Sequence, residues 1–101
     1  MPRWHRVPLA DLEREGRALV VVGGRALAVF VTDGAVFALE NACPHAGNPL
    51  VDGEVAGRAL TCVYHGWRFE LENGACMLGD APARTYPVDL RDGEVWIDVG
   101  G

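Results

Sequence analysis

The chain has 101 residues, half of them hydrophobic, and a formal net charge of −5 from nine basic and 14 acidic residues. This length suits one domain with a single core, and the apolar content is that of a folded protein rather than a disordered one. The negative charge opposes binding to nucleic acid or to anionic lipid.

The N-terminal residues run directly into the polar residues Asp11 and Glu13, so they contain no apolar region typical of a signal peptide. The longest apolar runs that follow, Ala18–Val22 and Ala26–Val31, are far shorter than the roughly 20 residues of a membrane-spanning helix. We therefore expect a cytoplasmic protein. In that compartment the three cysteines are more typical of metal ligands, redox thiols or packing residues than of disulfides.

Short strand-like segments fill most of the sequence. The predicted strands are, in chain order, Arg3–Val7, Ala18–Val22, Arg25–Val31, Ala35–Glu40, Arg58–Cys62, Arg68–Leu71, Thr85–Val88 and Glu94–Val99. In the last strand, alternation places Trp96 on the face opposite Val95, Ile97 and Val99. A helical pattern is limited to Leu9–Arg14 and predicts no more than a turn.

Glycine-containing turn signals separate these segments. They stand at Gly23-Gly24, Asp33-Gly34, Asp52-Gly53, Asn73-Gly74 and Asp92-Gly93. The pairs at 33–34 and 92–93 lie between alternating segments and predict tight hairpins. The fold class is therefore all-β, a small barrel or sandwich that forms one domain over residues 1–101.

Two segments, Asn41–Leu50 and Val63–Trp67, break the strand pattern, each directly after a strand-like run. The candidate ligands lie in or beside them: Cys43-Pro44-His45-Ala46-Gly47 and, further along the chain, Cys62-Val63-Tyr64-His65-Gly66. Each loop offers one thiolate and one imidazole. Ligands so close in sequence reach one metal centre only if the backbone bends, which the glycine after each histidine permits.

This pattern, C-x-H-x16-C-x-x-H, closely resembles that of the Rieske family, and the resemblance covers nearly the whole chain. It implies one [2Fe–2S] cluster, with Cys43 and Cys62 on the inner iron and His45 and His65 on the outer iron. These ligands would belong to a cluster-binding subdomain of approximately residues 41–82, formed by two strand-end loops.

The same resemblance bears on the reduction potential. Histidine ligation leaves the oxidised cluster neutral and raises the potential above that of four-cysteine clusters. High-potential members of the family carry a disulfide cysteine in each loop and a serine after the second His-Gly, whereas this chain has Asn48, Tyr64 and Trp67. Fewer hydrogen bonds to the sulfurs predict a potential near the low end of the range, about −150 mV.

In these features the chain resembles Rieske ferredoxins, which carry electrons from a flavoprotein reductase to the terminal oxygenase of an aromatic-ring dioxygenase system. The same module occurs in small subunits of assimilatory nitrite reductases, so a nitrite reductase large subunit is an alternative partner. An oxygenase would need a separate iron, typically bound by two histidines and a carboxylate. The sequence has three histidines and only His5 remains. We therefore expect an electron-transfer protein, not an enzyme, without a nucleic-acid or membrane partner.

An alternative of another class is a structural zinc module, because two cysteines and two histidines are a common tetrahedral ligand set. Zinc ribbons usually place two cysteines in one C-x-x-C half-site, whereas each half-site here is mixed. The pattern favours the iron–sulfur interpretation.

Several residues around the loops have more than one interpretation. Cys76 suits a packing position better than a redox role, and Trp67 is predicted to pack beneath the second loop. A third loop, Gly79-Asp80-Ala81-Pro82, lies where the family covers its cluster but has no distinctive motif. The acidic residues Asp52, Glu54 and Asp80 are solvated or steer a basic partner. His5 is predicted at the surface, and Pro49 with Leu50 is a candidate apolar contact patch.

Overall fold

The computed structural model describes residues 3–44, 47–64, 66–79 and 81–100. Its elements, in chain order, are β1 (Trp4–Pro8), α1 (Leu9–Glu15), β2 (Arg17–Val22), β3 (Arg25–Thr32), β4 (Ala35–Glu40), a 3₁₀ helix (Leu50–Asp52), β5 (Glu54–Ala56), β6 (Ala59–Thr61), β7 (Arg68–Glu70), β8 (Cys76–Leu78), β9 (Thr85–Tyr86), β10 (Val88–Arg91) and β11 (Glu94–Asp98). No helix among these described residues is long and apolar enough to cross a membrane.

The strands form three antiparallel sheets. Their orders are β1-β11-β10, β2-β3-β4-β9 and β5-β6-β7-β8. The second, central sheet pairs β4 directly with β9, so the chain between these strands leaves the central sheet to form the third sheet and then returns. The predicted all-β fold class is confirmed, as stacked sheets rather than a closed barrel.

Strand β3 of the central sheet is buried on both faces. On β3, Leu27 and Val29 pack into an outer core shared with the first sheet, while Ala28 and Phe30 pack into a second core on the other face. We call the second core the loop-side core; it also includes Leu39, Leu50, Leu60, Phe69, Cys43 and Cys62. Because successive strand residues point to opposite faces, burial on both sides explains why β3 is a continuous apolar run.

The two predicted hairpins are confirmed. Asp33 and Gly34 have φ of 54° and 73°, and Asp92 and Gly93 have φ of 52° and 76°. Two successive positive φ values match the type I′ turn, whose twist suits a two-residue hairpin. The flanking strands pair directly, β3 with β4 and β10 with β11.

The segment after β1 is a real helix, so the prediction of a mere turn was wrong. Helix α1 has seven residues and ends at Gly16, which has φ of 77° and donates its N–H to the Leu12 carbonyl. Leu12 is fully buried in the outer core. Tertiary burial of this side chain stabilises a helix that is too short to form alone.

Other differences concern strands. β5 and β8 were not predicted, and the predicted strand Thr85–Val88 is divided at Pro87, which has no N–H to donate to a ladder. The chain thereby passes from the central sheet to the first sheet. In β11 the predicted alternation is confirmed: Val95 and its partners on the inner face are buried, whereas Trp96 is half-buried.

A carboxylate at the end of β11 gives a test of the first sheet. Asp98 accepts hydrogen bonds from the backbone N–H groups of Arg3 at 2.8 Å and Gly100 at 3.0 Å. Both bonds stabilise the charged form, so they lower the pKa of Asp98, with the larger effect from Arg3. A carboxyl group with a lowered pKa stabilises the fold above its unfolded pKa, and this contribution is lost as the pH falls through the folded pKa.

We therefore expect Asp98→Asn to be less stable than the wild type above about pH 5, with a difference that shrinks as the pH falls below about 4. Urea unfolding followed by circular dichroism across this pH range measures it. Asp92→Asn, in an exposed turn, controls for the loss of one negative charge. A difference between wild type and Asp98→Asn that does not change with pH would contradict the assignment.

Candidate metal centre

The structure brings the two predicted cysteine ligands into the same apolar environment. Cys43 is 1% exposed and Cys62 is fully buried, and both belong to the loop-side core. The two predicted histidine ligands, His45 and His65, lie outside the described residues. Their participation therefore remains a prediction from the sequence, whereas the burial of both thiols is observed.

The first loop, residues 43–48, is closed by two backbone hydrogen bonds. The Cys43 N–H donates to the Asn48 carbonyl at 2.8 Å, and the Cys43 carbonyl accepts from the Gly47 N–H at 2.7 Å. Gly47 has φ of 74°, in the left-handed region that glycine adopts without strain. The cysteine is thus held at the base of a tight loop.

The second loop, residues 62–67, repeats this geometry. The Cys62 N–H donates to the Trp67 carbonyl at 2.7 Å, and the Cys62 carbonyl accepts from the Gly66 N–H at 2.8 Å. Gly66 has φ of 76°, almost the value of its counterpart in the first loop. Each loop therefore carries one buried cysteine at the equivalent position of the same hydrogen-bond pattern.

The segment that follows the first loop is fixed to the start of β2 and to the residue after β4. The Asn41 side-chain carbonyl accepts from the Val51 N–H at 2.7 Å. At the start of β2, Nη1 of Arg17 donates hydrogen bonds to the carbonyls of Val51 at 2.8 Å and Gly53 at 2.5 Å. The Arg17 guanidinium also lies over the Phe30 ring. The sequence analysis missed Arg17; its only signal is a charged residue that opens an otherwise apolar strand.

A side-chain hydrogen bond links the second loop to the 3₁₀ helix that follows the first. The Tyr64 hydroxyl donates to the Asp52 carboxylate at 3.3 Å. The negative charge of Asp52 raises the pKa of Tyr64, since the phenolate would lie beside a carboxylate. Asp52 and Glu54 are exposed, and Asp80 lies outside the described residues. A steering role for these acidic residues remains a prediction.

The third loop begins where glycine is required. Gly79 has φ of 135°, and a Cβ there would lie 2.5 Å from Cδ2 of Trp67 and 2.9 Å from Sγ of Cys76. Trp67 packs against the loop-side core, with its ring centroid 6.3 Å from that of Phe69. The predicted packing role of Trp67 is confirmed. Cys76 also packs partly buried against this core, as predicted.

The predicted apolar contact patch is wrong in one residue. Leu50 is fully buried in the loop-side core, and Pro49 is half-buried. Large exposed apolar side chains beside the predicted ligands include Val63 and Tyr64 in the second loop, 50% and 49% exposed. His5, predicted at the surface, is half-buried on β1.

These features fit a metal centre bound through sulfur. Thiolate is the ligating form of cysteine, and burying such a charge in apolar surroundings is unfavourable without a bound cation. Two buried thiolates suit soft or borderline metals, above all zinc or an iron–sulfur cluster. The described residues alone do not choose between these two.

Comparisons with known proteins favour an iron–sulfur cluster over zinc. A family model described as "Rieske [2Fe-2S] domain" matches residues 4–90. The naphthalene 1,2-dioxygenase system ferredoxin component of Pseudomonas putida is 33% identical over 96 residues, which are 92% of this chain and 91% of that protein. Oxidoreductase NdmD of the same species is 38% identical over 88 residues, 76% of this chain but only 15% of that protein.

The chain spans 15% of the length of NdmD and 21% of the length of another curated relative, 4beta-methylsterol monooxygenase of Methylococcus capsulatus, whereas it spans 91% of the naphthalene dioxygenase ferredoxin. Among solved structures, a chain from a complex of reduced oxygenase and oxidized ferredoxin in carbazole 1,9a-dioxygenase superposes with a TM-score of 0.83 at 26% identity. That match covers 94% of this chain and 92% of the other.

The contact between the third loop and Trp67 predicts the effect of one added methyl group. Gly79→Ala would place Cβ inside the indole, so we expect it to lower the free energy of unfolding by about 1–3 kcal/mol beyond its backbone strain. Gly24→Ala is the matched control, because Gly24 also has a positive φ but faces open space; it should lose about 1–2 kcal/mol from strain alone. Equal losses in urea unfolding would refute the predicted contact.

Proposed function

This chain belongs to the family of Rieske [2Fe–2S] domains, and from that membership we propose that it carries single electrons from a flavoprotein reductase to the terminal oxygenase of an aromatic-ring dioxygenase system. The family match replaces the zinc alternative with one [2Fe–2S] cluster. When bound, this cluster supplies a one-electron couple.

We assign Cys43 and Cys62 to the inner iron and His45 and His65 to the outer iron. The observation that supports this most strongly is the pair of hydrogen-bonded loops, in which Cys43 and Cys62 occupy equivalent, buried positions. Each predicted histidine lies between its cysteine and the glycine that closes the loop, so it belongs to the same loop as its sulfur partner.

The residues around the thiols set the conditions for electron transfer. The apolar side chains of the loop-side core, including Leu50 and Phe69, keep water from the sulfurs. Trp67 stands where high-potential members have a serine hydroxyl, and Tyr64 stands at a disulfide position. Without that serine hydroxyl, negative charge added to the cluster would be less stabilised, which supports a potential near the low end of the range.

The proposed partners rest on the relatives. The naphthalene dioxygenase ferredoxin matches this chain along nearly its full length, and the carbazole dioxygenase complex contains a ferredoxin together with its oxygenase. The acidic balance of the chain suits a basic docking surface on either partner. We propose that the exchange takes place in the cytoplasm.

The proposal is tested on the purified protein. We expect a red-brown colour that dithionite bleaches, about two irons and two acid-labile sulfides per chain, and a potential of about −150 mV. The reductase and oxygenase of the naphthalene dioxygenase system serve as donor and acceptor, with cluster reduction and reoxidation followed by visible absorbance. A colourless zinc protein, or a cluster that exchanges no electrons with either protein, contradicts the proposed function.

The ligand assignment has a test of its own. His45→Ala and His65→Ala should each abolish the native visible spectrum, since each removes a ligand of the outer iron. His5→Ala is the matched control, because His5 lies on β1, which pairs with β11 in the first sheet. A native spectrum and potential in either ligand variant would exclude that histidine.

A further inference from the structure

We propose that Tyr64 is a positioning residue, whose hydrogen bond to Asp52 fastens the second loop to the 3₁₀ helix that follows the first loop, in place of a disulfide. The inference rests on the proposed function, because it concerns the loops assigned to the cluster. The bond joins residues 12 positions apart at 3.3 Å. We call it the loop clasp.

The acceptor side of the clasp is rigid. Asp52 ends the 3₁₀ helix, between fully buried Leu50 and Gly53. The Gly53 N–H donates to the Leu50 carbonyl at 2.9 Å, and a Cβ on Gly53 would lie 2.7 Å from Cδ1 of Leu60. Arg17 holds the same helix from the central sheet. The Asp52 carboxylate therefore projects from a backbone that has little room to move.

The position of the second loop, which carries the donor Tyr64, depends on the clasp more strongly than the position of the 3₁₀ helix does. Tyr64 is 49% exposed, and the backbone hydrogen bonds at Cys62 and Gly66 both close within the second loop itself. Those bonds define the shape of the loop but do not tie its outer part to the first. The Tyr64 hydroxyl makes that connection, because its acceptor lies on the segment that leaves the first loop.

The position of Tyr64 in the chain gives the clasp its consequence. Tyr64 lies directly before His65 and two residues after Cys62, the two ligands assigned to the second loop. Fixing the Tyr64 side chain restricts the backbone that connects it to Cys62 and so would oppose movement of the second loop away from a bound cluster. Family members with a disulfide obtain this restriction covalently; here a tyrosine and a carboxylate provide it.

The first variant removes the hydroxyl alone. In holoprotein Tyr64→Phe we expect visible absorbance to disappear about three to ten times faster in excess EDTA, as one charge-assisted hydrogen bond is lost. The electron paramagnetic resonance signal of the dithionite-reduced protein should broaden, because the loop adopts more than one position. Tyr86→Phe is the matched control: the Tyr86 hydroxyl is buried without a hydrogen-bond partner among the described residues, so this variant should match the wild type in both measurements.

The second variant removes the acceptor. Asp52→Ala should lose its cluster as fast as Tyr64→Phe, and the double variant no faster than the faster single one, since each substitution breaks the same bond. Glu54→Ala, which removes an exposed carboxylate two residues further on, controls for charge. Wild-type rates and line widths in Tyr64→Phe, or additive effects in the double variant, would overturn the clasp. Wild-type protein that binds no iron or sulfide would instead refute the proposed function.

Discussion

The rest of the candidate site depends on the burial of two thiols among apolar side chains. Cys43 and Cys62 are buried in the core that also contains Leu50, Leu60 and Phe69. Their thiolates are stable there only with a metal bound, because an unpaired buried charge costs several kcal/mol. With Cys43 and Cys62 as the proposed ligands, cofactor and core would stabilise each other, and we expect the third sheet and its loops to lose order in the apoprotein before the central sheet does.

Four residues hold the segments around the two buried cysteines in place. Gly47 and Gly66 each close one loop by donating the backbone N–H to the carbonyl of the cysteine four residues earlier, and each has a positive φ. Arg17 fastens the segment after the first loop to the central sheet, and Gly79, without a Cβ, allows the backbone at the start of the third loop to approach Trp67. The hydrogen bonds of Gly47 and Gly66 each close within one loop, whereas Arg17 and Gly79 act through contacts between segments that are more distant in the sequence.

Local signals in the sequence predicted the features that local chemistry determines. The pairs Asp33-Gly34 and Asp92-Gly93 specify their turns through backbone preferences alone, so both hairpins were predictable. The spacing of cysteines and glycines likewise specified the loops that present the thiols. The histidines, being outside the described residues, remain sequence predictions.

Features that depend on distant contacts were not predictable. Leu50 resembled a surface residue beside a ligand, because nothing in its neighbourhood reveals the core that covers it. Helix α1 exists because Leu12 finds a place in the outer core, and Arg17 acts on carbonyls more than 30 residues away. β5 has three residues, too few to establish a period, and only its pairing with β6 identifies it as a strand.

The segment that leaves the central sheet after β4 and returns to it at β9 begins and ends at neighbouring positions. Leu39 of β4 pairs with Thr85 of β9, and the Glu40 N–H donates to the Arg84 carbonyl at 2.8 Å. The 44 residues between Glu40 and Thr85 therefore connect two paired antiparallel strands of the central sheet, as the loop of a hairpin does. Segments with neighbouring ends are exchanged between proteins with little disturbance of the host. We therefore expect that residues 41–84 can change, or be exchanged between related proteins, without disturbing the central and first sheets.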